Sequence, residues 1–314
     1  MSRENISILI ATGLLGVLLW VVISIARDWG RLPAAPLPLP AEIVEIDPAL
    51  PRLLTRTDLR NWLTEKGYLA DVLIGGYRDW LAERGYPGFS VLLDGPGTDT
   101  IGADYADMDD ADLVLLAGRG DSSAALLLGE KSLETDPLAA LDWFDQASVN
   151  GSVFGMIRMA DLLATLSSLE SAEFVSTSSW QEALEQRNAG APPLGEQALA
   201  WALAAVIVGG YAVLDPSHAD RIESLTMMLD DAANERACAL AQDYVLTTAT
   251  ARRAQGGMVF SMQAPPLALS VANPAATLPC DVPLIPLVSL DACSQQDFVG
   301  PGTRLMTAWL CTGD

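Results

Sequence analysis

Apolar positions run unbroken through Ile6–Ala26, where 21 consecutive residues carry no charge. At 1.5 Å per residue such a segment spans a hydrocarbon core, so the pattern predicts a transmembrane helix with Trp20 and Trp29 near one interface. A signal peptide cut after Ala26 is the alternative, because Ser24 and Ala26 are small where a signal peptidase reads. Prolines crowd Leu32–Pro40 and predict an extended stalk over 27–54. From 55 the apolar spacing becomes helical. Asn61-Trp62-Leu63-Thr64-Glu65-Lys66-Gly67-Tyr68 returns as Asp79-Trp80-Leu81-Ala82-Glu83-Arg84-Gly85-Tyr86, which predicts a helical hairpin over 55–90, N-capped by Thr57 or Asp58. An acidic loop follows at 91–108, with Asp109 or Asp110 placed to cap the next helix. Further helices are predicted at 109–119, 121–134, 137–149, 152–168 and 194–208, with a long one near 219–252. An insertion, 169–193, holds a short helical piece at Trp180–Asn188. Residues 254–314 lose helical spacing. Met258–Met262, Leu284–Leu290 and Trp309–Cys311 read there as short extended pieces between prolines.

The helical stretch repeats itself. Gly120-Asp121, Ala124 and Leu128-Gly129 return 31 residues later as Gly151-Ser152, Gly155 and Met159-Ala160. Ala140, Leu141, Trp143, Ala147 and Gly151 recur 58 residues later as Ala198, Leu199, Trp201, Ala205 and Gly209. A period in the low thirties with small residues at fixed places predicts stacked helix pairs, an α-solenoid. The run Asp136–Gly151 resembles the first helix of a Sel1-like repeat, and Gly120-Asp121 with Ala124 and Leu128-Gly129 resembles the second. The resemblance covers about 109–168 and, less closely, 195–215. It departs at Ser148, where the family usually has Ala, and at the insertion. It implies a protein-binding scaffold of the TPR-like class, often bacterial and envelope-associated, without an active site. The expected fold is therefore mainly α, with repeats over 109–253, an N-terminal transmembrane helix and a small irregular or β segment at 254–314.

Forty acidic against 18 basic side chains give a net charge of −22. Such a surface repels phosphate backbones, so nucleic acid is not an expected partner. Three of the four cysteines, Cys280, Cys293 and Cys311, lie in the proline-rich tail, where a disulfide would limit unfolded freedom. The short loops Cys280–Cys293 and Cys293–Cys311 are the preferred pairings, with Cys238 left as a buried thiol. No C-x-x-C pair or EF-hand spacing is present, so neither zinc nor calcium is expected.

The single histidine, His218, lies in Asp215-Pro216-Ser217-His218, which reads as a capping turn rather than part of a hydrolase triad. No phosphate loop, dinucleotide fingerprint or nucleophile elbow appears, and no cofactor is expected. Trp62, Tyr68, Trp80 and Tyr86 read first as core and otherwise as partner anchors. The expected function is a scaffold that binds protein partners, tethered to a bacterial inner membrane through residues 6–26 with its folded part in the periplasm. It would serve as a subunit or assembly factor of an envelope complex. The alternative is an envelope enzyme, or its accessory subunit, acting on peptidoglycan or polysaccharide.

Overall fold

Aspartates placed just before apolar runs set where most of the helices begin. The computed structural model describes residues 47–86, 105, 107–171, 184, 186–281 and 284–311, all within one unit, Ile46–Asp314. The apolar N-terminal segment, the proline-rich stretch, most of the acidic loop and most of the insertion lie outside the described residues. Helix α1 is Arg56–Glu65 and α2 is Ala70–Ala82. The cap of α1 is Thr55, ahead of the expected Thr57 or Asp58. Its hydroxyl accepts from the Asp58 backbone while the Asp58 carboxylate accepts from the Thr55 backbone, satisfying two end donors at once. Helices α3 (Asp110–Gly118), α4 (Ser122–Ser132) and α5 (Pro137–Val149) are capped by Asp109, Asp121 and Asp136. Then come α6 (Val153–Ser171) and α7 (Leu194–Gly209).

The long helix expected near 219–252 is two helices. Helix α8 (Pro216–Met227) stops, and Asp230 opens α9 (Asp231–Ala254) by accepting the Ala233 N–H at 2.7 Å. A carboxylate that caps a new helix competes with continuation of the old one.

The C-terminal segment forms a three-stranded antiparallel sheet. Strands β1 (Leu267–Val271) and β2 (Ser294–Val299) flank β3 (Leu305–Leu310) in the order β1-β3-β2. The register sets Ser294 opposite Leu310, which places Cys293 and Cys311 side by side, and they form a disulfide. Cys238 is not a free thiol: it pairs with Cys280 and ties α9 to the loop beyond β1. The pairing Cys280–Cys293 does not occur, because β2 and β3 hold Cys293 against Cys311.

Packing runs along the chain and then across it. Helix α3 packs on α4, α4 on α5, α5 on α6, and α6 on α7, while α8 and α9 also pack on α7. Every residue from Glu196 to Gly209 is buried. Together with the turn that follows, Leu194–Val213 is the one described helix long and apolar enough to cross a membrane. Its mean hydropathy is 1.4, yet 89% of that window is buried inside the protein, as befits a core helix wrapped on all sides. Helix α2 packs against β1. The N-terminal pair therefore meets the C-terminal sheet, and Leu53 N–H reaches the Val299 carbonyl at 2.9 Å.

Three stability outcomes follow from this packing. A Cβ added at Gly129 in α4 would lie 2.4 Å from the fully buried Phe144 ring, whereas one at Gly75 in α2 meets nothing within 4 Å. In urea unfolding, Gly129→Ala is expected to cost about 1–3 kcal/mol, and Gly75→Ala to gain about 0.5–1 kcal/mol. Replacing Cys238 and Cys280 together by alanine is expected to lower stability by about 2–4 kcal/mol, read from the same unfolding curves.

Candidate functional site

Three helices end at one place on the surface. The C-terminal turns of α3, α5 and α9 border a groove of about 670 Å³ lined by Arg119, Gln146, Asn150, Arg252, Gln255 and several glycines. Each helix is closed by a glycine in the left-handed region, Gly120 (φ 97°), Gly151 (φ 110°) and Gly256 (φ 81°). Side-chain amides stitch the ends together. Asn150 Nδ2 donates to the Ala117 carbonyl at 2.9 Å and the Asp121 carbonyl at 3.3 Å, and its Oδ1 accepts from Gln146 Nε2 at 2.8 Å. Gln146 Nε2 also reaches Gln255 Oε1 at 3.4 Å. Arg252 donates to the Val149 carbonyl at 3.0 Å and to the Met258 carbonyl. A Cβ at Gly151 would sit 2.5 Å from Arg252 Nη1, so that close approach needs glycine.

The electrostatics of the groove are mixed. Three helix C-termini present partial negative charge, which Arg252 and Asn150 answer in part. Arg119 is exposed and forms no ion pair among the described residues. No carboxylate lines the groove.

Among the described residues a connected array of ionisable side chains lies elsewhere. Glu130 of α4 pairs with Arg158 of α6 at 2.8 Å, Arg158 with Asp161 at 3.0 Å, and Asp161 with Arg221 of α8. Arg221 Nη1 then faces His218 Nδ1 at 3.4 Å. His218 Nε2 lies 3.0 Å from the Ala202 carbonyl of α7. A carbonyl only accepts, so Nε2 carries the proton and Nδ1 is left as the acceptor. With both nitrogens occupied and the ring fully buried, His218 is a core connector with no path to a substrate. Burial, with Arg221 beside it, pulls its pKa down to about 3. Asp215 caps α8 by accepting the His218 N–H at 2.9 Å, and burial pushes its carboxyl up to about 7.

The residues singled out from sequence divide between groove and core. Gly120 and Gly151 edge the groove, with Gly120 among its lining residues. Ala124, Gly129, Ala147, Ala205 and Gly209 are buried, and Gly155 faces α5. Trp201 stacks on Tyr244 of α9 at 4.5 Å between centroids, and Trp143 is half-buried. Trp62, Trp80 and Tyr86 are core residues rather than exposed anchors, and Tyr68 is half-buried. Among the described residues no group of three or more His, Cys, Asp or Glu is placed to hold a metal ion. Arg119, Gln146, Asn150, Arg252 and Gln255 carried no sequence signal as a group, because over 100 positions separate the two ends of that set. The paired glycine stops at 120 and 151 were the available hint.

Opposed titrations at α8 give a pH signature. Unfolded, His218 takes a proton below 6.5, but folded it stays neutral down to about 3, so acid favours unfolding across that window. Asp215 has the opposite sign: folded it keeps its proton up to about 7 and unfolded it loses it above 3.8, so rising pH favours unfolding. The two slopes nearly cancel between about 4 and 6.5. Asp215→Asn removes only the second. Its stability relative to the parent protein should fall on acidification by up to about 1.4 kcal/mol per pH unit, measured as urea midpoints between pH 6.5 and 4.5.

Comparison with protein-family models, with curated proteins and with solved structures finds no match to this chain.

Proposed function

We propose that the protein is a scaffold of the bacterial envelope that holds a polypeptide partner, tethered to the membrane by its N-terminal apolar segment. The groove at the ends of α3, α5 and α9 carries this reading. It offers the exposed amide of Gln255, the half-buried amide of Gln146 and one uncommitted guanidinium, the chemistry that grips peptide backbone, in a volume suited to a short segment. On this reading the helix pairs α3–α4 and α5–α6, with α7 beginning a third, are Sel1-like units stacked as a solenoid, and the groove lies where their loops gather. The disulfides Cys238–Cys280 and Cys293–Cys311 suit an oxidising compartment such as the periplasm, outside the reach of cytosolic reductants. The alternative, an enzyme acting on polysaccharide, asks for two carboxylates flanking a cleft, about 5–9 Å apart. The groove is lined by none. The carboxyl pushed up to about 7, Asp215, is occupied in capping α8.

Photo-crosslinking in intact cells tests the proposal. A photoreactive residue replacing Gly118, an exposed groove-lining position where a Cβ meets nothing within 4 Å, is compared with one replacing Met227 at the far end of α8, in the full chain and in a chain lacking residues 1–31. We expect a defined protein adduct from position 118 in the full chain and none from 227. Persistence in the shortened chain would make the apolar segment a tether only. Absence of any adduct from 118 in both chains would overturn the proposal.

A further inference from the structure

Most of the described cations are already committed. Arg60, Lys131, Arg158, Arg187, Arg221, Arg236 and Arg304 each face a carboxylate within 3.0 Å. Arg252 is engaged by backbone carbonyls. Arg119, like exposed Arg253 of α9, has no carboxylate partner among the described residues, but of the two it is Arg119 that lines the groove, in a chain that otherwise offers an excess of carboxylates. The wall beside it is rich in acceptors. Among the described residues the carbonyls of Gly118, Arg119, Asn150 and Gln255 accept no hydrogen bond from the protein, since the capping donors stop at Leu116, Ala117, Val149 and Arg253. A complementary ligand therefore donates several N–H groups along its length and carries one anionic group. An extended peptide supplies the first with its backbone.

The anion is narrowed by the long-range field. A net charge of −22 opposes a segment rich in Asp or Glu, while a single carboxylate on an otherwise neutral or basic segment escapes that penalty. Every polypeptide has one such group at its end. We propose, resting on the scaffold reading above, that the groove takes the carboxyl terminus of a neutral or basic extended polypeptide. Its α-carboxylate lies on the Arg119 guanidinium, and its backbone N–H groups lie on the carbonyls at the ends of α3, α5 and α9. A guanidinium matches a carboxylate in shape as well as charge, and Gln146 and Gln255 each keep amide atoms free to bond peptide groups.

The test uses the full chain in detergent, immobilised and incubated with an equal mixture of random pentapeptides bearing either a free or an amidated carboxyl terminus. Retained peptides are counted by mass spectrometry. The free-acid members are expected to be retained about fivefold to tenfold over the amidated ones. Arg119→Gln is expected to erase that ratio, and Arg119→Lys to keep part of it. Position 119 is exposed, so these variants should fold as the parent does, which circular dichroism checks. Equal retention of free and amidated peptides would overturn the proposal. So would retention governed by internal Asp or Glu, which would assign Arg119 to an acidic side chain instead. If neither peptide class is held while the crosslink from position 118 persists, the carboxyl-terminus assignment fails and the scaffold reading stands. If that crosslink is missing too, both fail.

Discussion

Helix α7 has no side that can face water. From Ala198 to Gly209 it carries only Ala, Leu, Trp, Val, Ile and Gly, and each of these residues is buried. A helix apolar all round must be enclosed, either by lipid or by other protein. Here α6 and α9 pack on it, α8 meets it at the Ala202 carbonyl near its middle, and the Leu287 N–H reaches the Ile207 carbonyl from the C-terminal segment. Five alanines between 198 and 205 keep the surface low enough for neighbours to approach closely. At about 25 cal/mol per Å² of apolar area removed from water, this enclosure contributes strongly to folding. The polar atoms at its margins are all answered. Glu196 is gripped by two nitrogens of Arg236, Gln197 Nε2 donates to the Pro192 carbonyl, and His218 donates to the Ala202 carbonyl. Each answer comes from a different element, so the neutral state of His218 and the position of Arg236 are consequences of wrapping α7.

Enclosing one helix from several sides brings distant parts of the chain together. Helix α2 cannot cover its own apolar face alone, and it buries Tyr77 and Trp80 against the segment that precedes and includes β1. Trp80 Nε1 donates to the Gln263 carbonyl, Arg84 to the Ser261 carbonyl, and Tyr77 to the Ala212 carbonyl. The Gln263 and Ser261 carbonyls belong to an extended strip outside the three strands, while Ala212 lies in the 3-10 turn after α7, so Trp80 of α2 and Arg84 just beyond it stand in for a neighbouring strand along that strip. The two disulfides then limit how far this long, proline-interrupted segment can wander when unfolded. The folded C-terminal segment depends on α2 and α9 as much as on its own three short strands.

How much of this was readable beforehand differs by element. The five predicted helices between 109 and 208 begin and end within a few residues of the observed ones, because Asp caps and glycine stops act locally. The break between α8 and α9 was not readable. Met227-Met228-Leu229 continues an apolar pattern, and only the use of the Asp230 carboxylate as a cap interrupts it. Strand β1 was hidden because all five of its residues are buried, which removes the alternation that marks a half-exposed strand. Strand β2, Ser-Gln-Gln-Asp-Phe-Val, lacks strand-forming residues in its first half, and its pairing is held from outside by β3 and the Cys293–Cys311 bridge. Cys238 looked like a buried thiol from its Ala-rich surroundings. Only the path of the chain beyond β1 brings Cys280 to it. The groove shows the same limit: the stops at Gly120 and Gly151 were visible as a repeat, but α9 joins them from 100 residues away.

The acid excess is itself partly a product of how the helices are begun. Asp109, Asp121, Asp136, Asp215 and Asp230 are all N-caps, each placed where a helix dipole favours negative charge. Their counterparts at the C-terminal ends are few, since α3 and α5 carry no basic residue in their last turn. The C-termini of α3 and α5 are thus left to be answered by groups from outside their own helices: Asn150 for α3 and Arg252 for α5. That borrowing is what draws the three helix ends together and opens a groove between them. Its walls are acceptor-rich for the same reason, since the local donors are spent before the last carbonyls are reached. On the proposed reading, a ligand that completes those hydrogen bonds does what a capping residue would have done. The uncommitted charge of Arg119 then decides which end of the ligand lies where.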